Sequence, residues 1–399
     1  MKKHYRLLKD ARLKEKRVLL RAGFDVPIED GVVKDDSRIR AIEPTMRHIL
    51  DSGGILIIAA HQGRPNDAPD PQYSQAPLVS LLESLLKTTV HFASDCIGPE
   101  AQKAVTQAKP GEVVLLENVR FHPEEKRNDP AFSASLASLA DVYVNDAFTN
   151  CHRNHANMVG VARLLPAFMG MNLEQEVKHL SAVLHAPKHP LTLIISGAKM
   201  ETKIPIISRF LTIGDHILLG GCIANTFIAA RGFSVGASKY EESFIEAAQE
   251  LMMESEKEHK ATIHVPRDCV VATELSEKAE KIDLPVEDIE GDMFIADIGK
   301  VTVKRYCDTI SESKMIIWNG PLGVAEFNRF SHGSKRIAEA MVQASKNGAV
   351  TIIGGGDTID FHTRFQYPVS PYTFVSMGGG AMLEFLAVEK FASLKALLA

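Results

Sequence analysis

Met315-Ile316-Ile317-Trp318-Asn319-Gly320-Pro321-Leu322-Gly323, followed further on by Val350-Thr351-Ile352-Ile353-Gly354-Gly355-Gly356-Asp357-Thr358, decides the reading of this chain. Each stretch is a continuous apolar run that ends in glycine. A strand apolar on both faces belongs in a parallel sheet covered by helices on each side. Glycine at the strand exit lets the backbone come close to a ligand. Where such a turn opens a helix, free N–H groups and the positive end of the helix dipole point at an anion.

The pattern recurs in both directions. The second half holds apolar runs at Leu191–Ile195, Ile217–Leu219, Thr262–Val265, Met315–Trp318, Val350–Ile353 and Phe374–Ser376; the first half holds them at Val18–Leu20, Ile55–Ala60, Val113–Leu116 and Val142–Val144. The intervening segments are long enough for helices, Ser331 to Lys346 being one. Alternation of this kind predicts an α/β protein with two doubly wound parallel-sheet, Rossmann-like lobes. The lobes are expected over residues 1–170 and 187–380. A bridging helix is expected over 171–186, where Leu173, Val177, Leu180 and Leu184 share a face and Pro187 and Pro190 close the segment. A last amphipathic helix is expected over about 381–399.

Bulk properties agree. At 399 residues the chain exceeds what one core usually supports. No apolar run approaches the roughly 20 residues that span a bilayer, so no membrane partner is expected. Five scattered cysteines (Cys96, Cys151, Cys222, Cys269, Cys307) without a CxxC pair fit a reducing, cytoplasmic setting. Residues 1–170 carry 22 Lys and Arg against 21 Asp and Glu, and the remainder 23 against 29. Neither half has the basic excess that nucleic-acid binding requires.

In open parallel sheets, ligands bind beyond the carboxyl ends of the strands. Six exits in the second half carry glycine: Ser196-Gly197-Ala198-Lys199, Gly220-Gly221-Cys222, Asp297-Ile298-Gly299, Asn319-Gly320-Pro321, Gly354-Gly355-Gly356-Asp357-Thr358 and Gly378-Gly379-Gly380. Singly, each reads as well as tight strand–helix packing; six in one sheet favour a nucleotide site. Lys199 and Lys203, four apart, share a face if helical and suit phosphate oxygens. Asp357 suits Mg²⁺, with a simple helix cap as the alternative for it and for Thr358. Glu326 suits ribose hydroxyls. Neither G-x-x-x-x-G-K-[ST] nor G-x-G-x-x-G occurs, which counts against a P-loop NTPase and a dinucleotide-binding dehydrogenase.

The first-half exits carry cations instead: Arg21-Ala22-Gly23-Phe24-Asp25, His61-Gln62-Gly63-Arg64-Pro65, Arg120-Phe121-His122-Pro123 and His152-Arg153-Asn154-His155, with Arg38 and Arg40 on a helix beginning near Asp36. Arginine offers planar bidentate donors to phosphate and carboxylate. Convergence of these exits would make a polyanion pocket; pairing with Asp35, Asp36 or Glu117 is the alternative for individual arginines.

These motifs, with Leu116-Glu117-Asn118-Val119-Arg120-Phe121-His122-Pro123, Val144-Asn145-Asp146-Ala147-Phe148 and the opening stretches, resemble those of phosphoglycerate kinases, in the same order and essentially end to end. The resemblance implies reversible phosphoryl transfer from 1,3-bisphosphoglycerate to ADP, giving 3-phosphoglycerate and ATP with Mg²⁺, by a monomer whose lobes close and whose C-terminal helix returns to the first lobe. It implies a phosphoglycerate site made of Arg38, His61, Arg64, Arg120 and Arg153, extended here by Arg21, Gly23, Phe24, Asp25, Gln62 and Gly63. For the nucleotide and its metal it implies Lys199, Lys203, Gly299, Asn319, Glu326, Asp357 and Thr358, extended by Gly197, Ala198, Gly220, Gly221, Pro321, Gly355 and Gly356. Arg38, Lys199 and the N–H groups of Gly378 and Gly379 are expected to stabilise the migrating group. The sequence departs from the family at Gly23 and Asp25, where Asp and Asn are usual, and at Thr149-Asn150-Cys151, Ser196, Thr202 and Met377. In an extended segment residues 23 and 25 point the same way, so Asp25 either takes the substrate hydroxyl or repels the substrate carboxylate. A nucleotide-binding protein without turnover is the competing reading.

Overall fold

A computed structural model describes residues 4–399. The chain forms two compact units: residues up to Lys178 together with Lys390–Ala399, and His179–Glu389. The helix Met171–His185 carries the chain from one to the other.

The first unit is built on six parallel strands in the spatial order Val90–Ala93, Val113–Leu116, Ile55–Ala59, Arg17–Ala22, Val142–Asp146 and Ala167–Met169. Two of these, Val90–Ala93 and Ala167–Met169, lie outside the expected runs. They are the sheet's edges, short and only partly buried, so they lack the continuous apolar signal of the central strands. The centre is dry: Val18, Leu19, Leu20, Leu56, Ile57 and Ile58 are fully buried. Each such side chain contributes about 1.5–3 kcal/mol through its removal from water.

The second unit repeats the architecture in the order Thr262–His264, His216–Leu219, Leu191–Ile195, Met315–Asn319, Val350–Gly354 and Phe374–Ser376, again all parallel. In chain order its strands run 3-2-1-4-5-6, so the winding reverses between Leu191–Ile195 and Met315–Asn319. Loops part on opposite faces at such a switch point and leave a crevice. Trp318, the chain's single tryptophan, is fully buried there, and its indole N–H donates to Gly320 O at 2.8 Å, fixing the turn that follows the strand.

A three-stranded antiparallel sheet, Ile282–Pro285, Asp268–Ala272 and Phe294–Ile298, was not foreseen. It takes the exit Asp297-Ile298-Gly299 out of the main sheet, which therefore has five glycine exits and not six. The expected helix over 381–399 is two helices, Gly380–Val388 and Ala392–Lys395, broken at Glu389, which adopts a left-handed conformation with φ 52°. The first lies in the second unit; only the segment from Lys390 joins the first.

Candidate functional site

At the carboxyl ends of the first sheet, the exits of the four central strands converge around Asp25. This residue is not extended as expected: φ is 42°, which turns its carboxylate back into the pocket. Asp25 Oδ1 accepts the Gly63 N–H at 2.8 Å, and Oδ2 lies 3.5 Å from His61 Nε2 and 3.7 Å from Arg38 NH1. Arg38 NH1 also donates to Asp25 O at 2.7 Å. Burial would raise this carboxyl's pKa, but His61, the Gly63 N–H and Arg38 together hold it well below the usual range.

Arg21 is buried, with its guanidinium donating to Ala22 O and to His61 Nδ1, the latter at 3.0 Å. A guanidinium has no acceptor, so Nδ1 must accept and Nε2 carries the ring proton toward Asp25. Burial, with the charges of Arg21 and Arg120, pulls His61 down to about 3, so it is a neutral hydrogen-bond donor. Arg21 thus orients His61 and does not itself face a ligand. Gln62 likewise turns inward, accepting from Val26 N and donating to Val26 O. Arg120 NH1 donates to Gly63 O at 2.9 Å. Burial and the charges of Arg21 and Arg153 lower its pKa to about 10, a sign of crowded cations. Arg64 and Arg153 are exposed and have no side-chain partner among the described residues. Arg40 instead pairs with Asp36 at 2.7 Å, on the surface.

Two expectations change here. Phe24 is fully buried in the core, so its side chain cannot meet a ligand. At Gly23 an added Cβ would lie 3.2 Å from Thr149 Oγ1 and 3.3 Å from Ala147 Cα, so this segment is packed against the loop after Val142–Asp146. Gly63 combines φ 59° with a position where a Cβ would strike the Tyr73 ring, so only glycine fits. If the phosphoglycerate site is the one the resemblance implies, Asp25→Asn should lower KM for 3-phosphoglycerate about fivefold with kcat little changed, by removing about 1 kcal/mol of screened repulsion. Steady-state kinetics at saturating ATP checks this; a rise in KM would show that the carboxylate takes the substrate hydroxyl.

In the second unit a cavity of about 180 Å³ opens at the switch point. Its walls come from Gly197, Ala198 and Lys199 after one strand, Asn319 and Gly320 after the next, and Gly355, Asp357 and Thr358 after the third. Lys203 also lines it. The helix begins only at Ile204, so Lys199 and Lys203 meet the cavity through a turn and not through the expected helical face. Lys203 Nζ donates to Asn319 Oδ1 at 2.8 Å, and Asn319 Nδ2 donates to Gly354 O at 2.8 Å. Burial depresses the Lys203 ammonium to about 8, partly offset by Asp357. Thr358 Oγ1 accepts from Gly320 N at 2.8 Å and donates to Gly354 O at 3.0 Å, tying two turns together. Gly355 has φ 103°, and a Cβ there would collide with Asn319 Nδ2. The N–H groups of Gly356, Asp357 and Thr358, in the first turn of the helix Gly356–Arg364, have no acceptor among the described residues. Lys199 and Asp357 are exposed, and their side chains have no hydrogen-bond or ion-pair partner among the described residues.

Other glycine exits are occupied by the protein itself. The helix after Gly299 is capped by carboxylates: Asp268 accepts from Val301 N at 2.8 Å and Thr302 N at 2.7 Å, and Asp283 accepts from Lys300 N at 3.1 Å. No N–H is left there for a phosphate. Gly220 N and Gly221 N donate to Ile195 O and Leu322 O, so this exit is close packing. The Gly378 N–H donates to Ser376 Oγ at 3.1 Å, leaving Gly379 as the free donor of that pair. Pro321 O accepts from Ser196 Oγ at 2.6 Å, and Glu326 is exposed, its backbone oxygen held by Arg364. Ser196, Thr202 and Gly320 line the cavity without having been assigned to the site, although Ser196 and Thr202 stood out as departures from the family pattern and Ser196 and Gly320 lay in the quoted strand exits.

Two α/β units, one with a cationic crevice and one with lysines and glycine turns beyond a parallel sheet, fit a phosphotransferase, and the relatives show that class. The family model for phosphoglycerate kinase matches residues 8–389. The chain is 43% identical to the phosphoglycerate kinase of Moorella thermoacetica over 380 residues, 95% of each chain. It is 39% identical to that of Methylorubrum extorquens over 397 residues, 99% of each. Its structure is similar to that of phosphoglycerate kinase from Coxiella burnetii, with TM-score 0.89, 33% identity and 99% of each chain covered. The Pyrococcus horikoshii enzyme gives TM-score 0.83 at 29% identity, covering 98% of each. The chain belongs to the phosphoglycerate kinase family, and its activity is phosphoryl transfer between 1,3-bisphosphoglycerate and 3-phosphoglycerate with ADP and ATP, in glycolysis.

Proposed function

We propose that the cavity at the second sheet's switch point receives the nucleotide phosphates, and that the cationic crevice of the first unit receives phosphoglycerate. The observation that carries this reading is the convergence, in one cavity, of the Lys203 ammonium, the exposed Lys199, the Asp357 and Thr358 N–H groups and the Asp357 carboxylate, the last three without a hydrogen-bond partner among the described residues. A single free carboxylate beside phosphate donors suits Mg²⁺, which binds through one or two carboxylates and phosphate oxygens. Asp357 would hold the ion, which supplies charge neutralisation on the phosphates.

In the direction of ATP use, a carboxylate oxygen of 3-phosphoglycerate forms a bond to the γ-phosphorus while the bond from that phosphorus to the bridging oxygen breaks, and ADP leaves. The attacking oxygen is already ionised, so no base is required. This agrees with a His61 that is neutral and held as a donor. Catalysis then consists of alignment and charge stabilisation. Arg38 and Lys199 stabilise the migrating group, with the Gly379 N–H; Arg64, Arg120 and Arg153 grip the phosphoglycerate. In-line transfer requires the two ligands to meet with water excluded, which makes hinged closure part of the proposal. A monomeric state and a cytoplasmic location, which the family resemblance and the scattered cysteines imply, belong to the proposal too.

A coupled assay with 3-phosphoglycerate and ATP tests the reading. Turnover should depend on added Mg²⁺ and stop on chelation. Calorimetric ADP binding without any turnover would reject it in favour of a binding protein.

A further inference from the structure

The strand Thr262–His264 forms one edge of the second unit's parallel sheet. Beside it lies a cavity of about 450 Å³ that shares no residue with the nucleotide cavity. Three arginines enter it from three different elements. Arg231 closes the helix Gly221–Ala230, Arg267 follows the edge strand, and Arg305 stands within the helix Lys300–Glu312. None of the three has an ion-pair partner among the described residues. Arg231 lies over the Phe233 ring, 5.3 Å from its centroid, and Arg267 is held through its backbone, its N–H donating to Thr302 Oγ1 and its carbonyl accepting from Val286 N.

Elsewhere on the surface Arg17, Arg47, Arg127, Arg336 and Arg364 each meet a carboxylate within 3 Å, and Arg12, Arg163 and Arg209 are unpaired one at a time among the described residues; here three unpaired arginines line one cavity. Glu256 is the one acid lining the cavity, against three guanidinium groups. Arg305 is partly buried and unpaired among the described residues. His264, on the wall, lies 3.2 Å from His216 (Nε2 to Nδ1), and burial with the neighbouring cations holds it neutral. Convergent guanidinium groups that outnumber the single carboxylate favour a multiply charged anion, which they bind through paired N–H donors. The cavity is concave and within the size range of small-molecule sites.

We propose that this cavity is a second anion site, separate from the catalytic crevices, that binds a small phosphate-bearing molecule with two or more negative charges. The test uses the full chain saturated with ADP and 3-phosphoglycerate in magnesium-free buffer, titrated with tripolyphosphate in a calorimeter. One further site is expected. The Arg267→Gln/Arg305→Gln double variant should weaken it at least about tenfold, since each guanidinium supplies charge-assisted hydrogen bonds. Its kcat and KM should stay at wild-type values, which also reports that it is folded. A Lys281→Gln/Lys335→Gln control, altering basic residues at a different cavity, should bind as the wild type does. Absence of binding beyond the two saturated sites, or undiminished binding by the double variant, would overturn the proposal. Citrate bound as tightly as tripolyphosphate would overturn the assignment to phosphate.

Discussion

Arg38→Ala should lower kcat about 10³-fold, the scale on which a positioned arginine stabilises a migrating phosphoryl group. The expectation follows from how the side chain is held. Arg38 sits on the short helix Ser37–Ala41, and its guanidinium is pinned by the Asp25 carbonyl at 2.7 Å and faces the Asp25 carboxylate at 3.7 Å. It retains 38% exposure, so it is oriented yet still open to a ligand. Removing it deletes a charge and one partly exposed hydrogen bond, so the fold and ADP affinity should survive. Arg38→Lys should recover only part of the loss, because an ammonium cannot reproduce the planar fork. Steady-state kinetics beside ADP calorimetry checks both; an alanine variant that keeps most of its turnover would exclude Arg38 from the transfer step.

Lys203→Met should make the ligand-free protein more stable while weakening ADP binding roughly 10²-fold, the loss expected for a charge-assisted contact to phosphate. Burial lowers the Lys203 pKa from 10.5 to about 8, so the folded chain holds this ammonium at a cost. Between pH 8 and pH 10.5 the unfolded chain binds more protons at this position, so wild-type stability rises with pH through that window. The gain from methionine should therefore be about 2 kcal/mol at pH 7, after allowance for the unpaired Asn319 oxygen, and shrink towards pH 10. Denaturant melts at the two pH values measure it. Equal effects at both would contradict a buried, depressed ammonium.

Much of this was readable in advance, and the failures share a cause. The central strands announced themselves because both faces are buried, as in Leu191–Ile195 and Met315–Asn319. Edge strands such as Ala167–Met169 are short, and the antiparallel strand Ile282–Pro285 is half exposed, so neither carries a continuous apolar run. Glycine marked strand exits correctly but could not say who fills them. At Gly299 the distant Asp268 caps the helix, a contact 33 residues away for Val301, and sequence spacing gives no hint of it. The left-handed turn at Asp25 was equally hidden: it depends on Gly63 and Arg38 arriving from other elements. Lys199 and Lys203 converge, but by a turn and not by helical phase.

The first unit is completed by the chain's last residues. Arg6 N donates to Leu397 O at 3.0 Å, Ala399 N to His4 O at 2.9 Å, and Ser393 Oγ to Cys151 O at 2.6 Å. The second unit, by contrast, is one uninterrupted stretch, His179–Glu389. Removing residues 390–399 would therefore strip these hydrogen bonds from the first unit and leave the continuous stretch of the second intact.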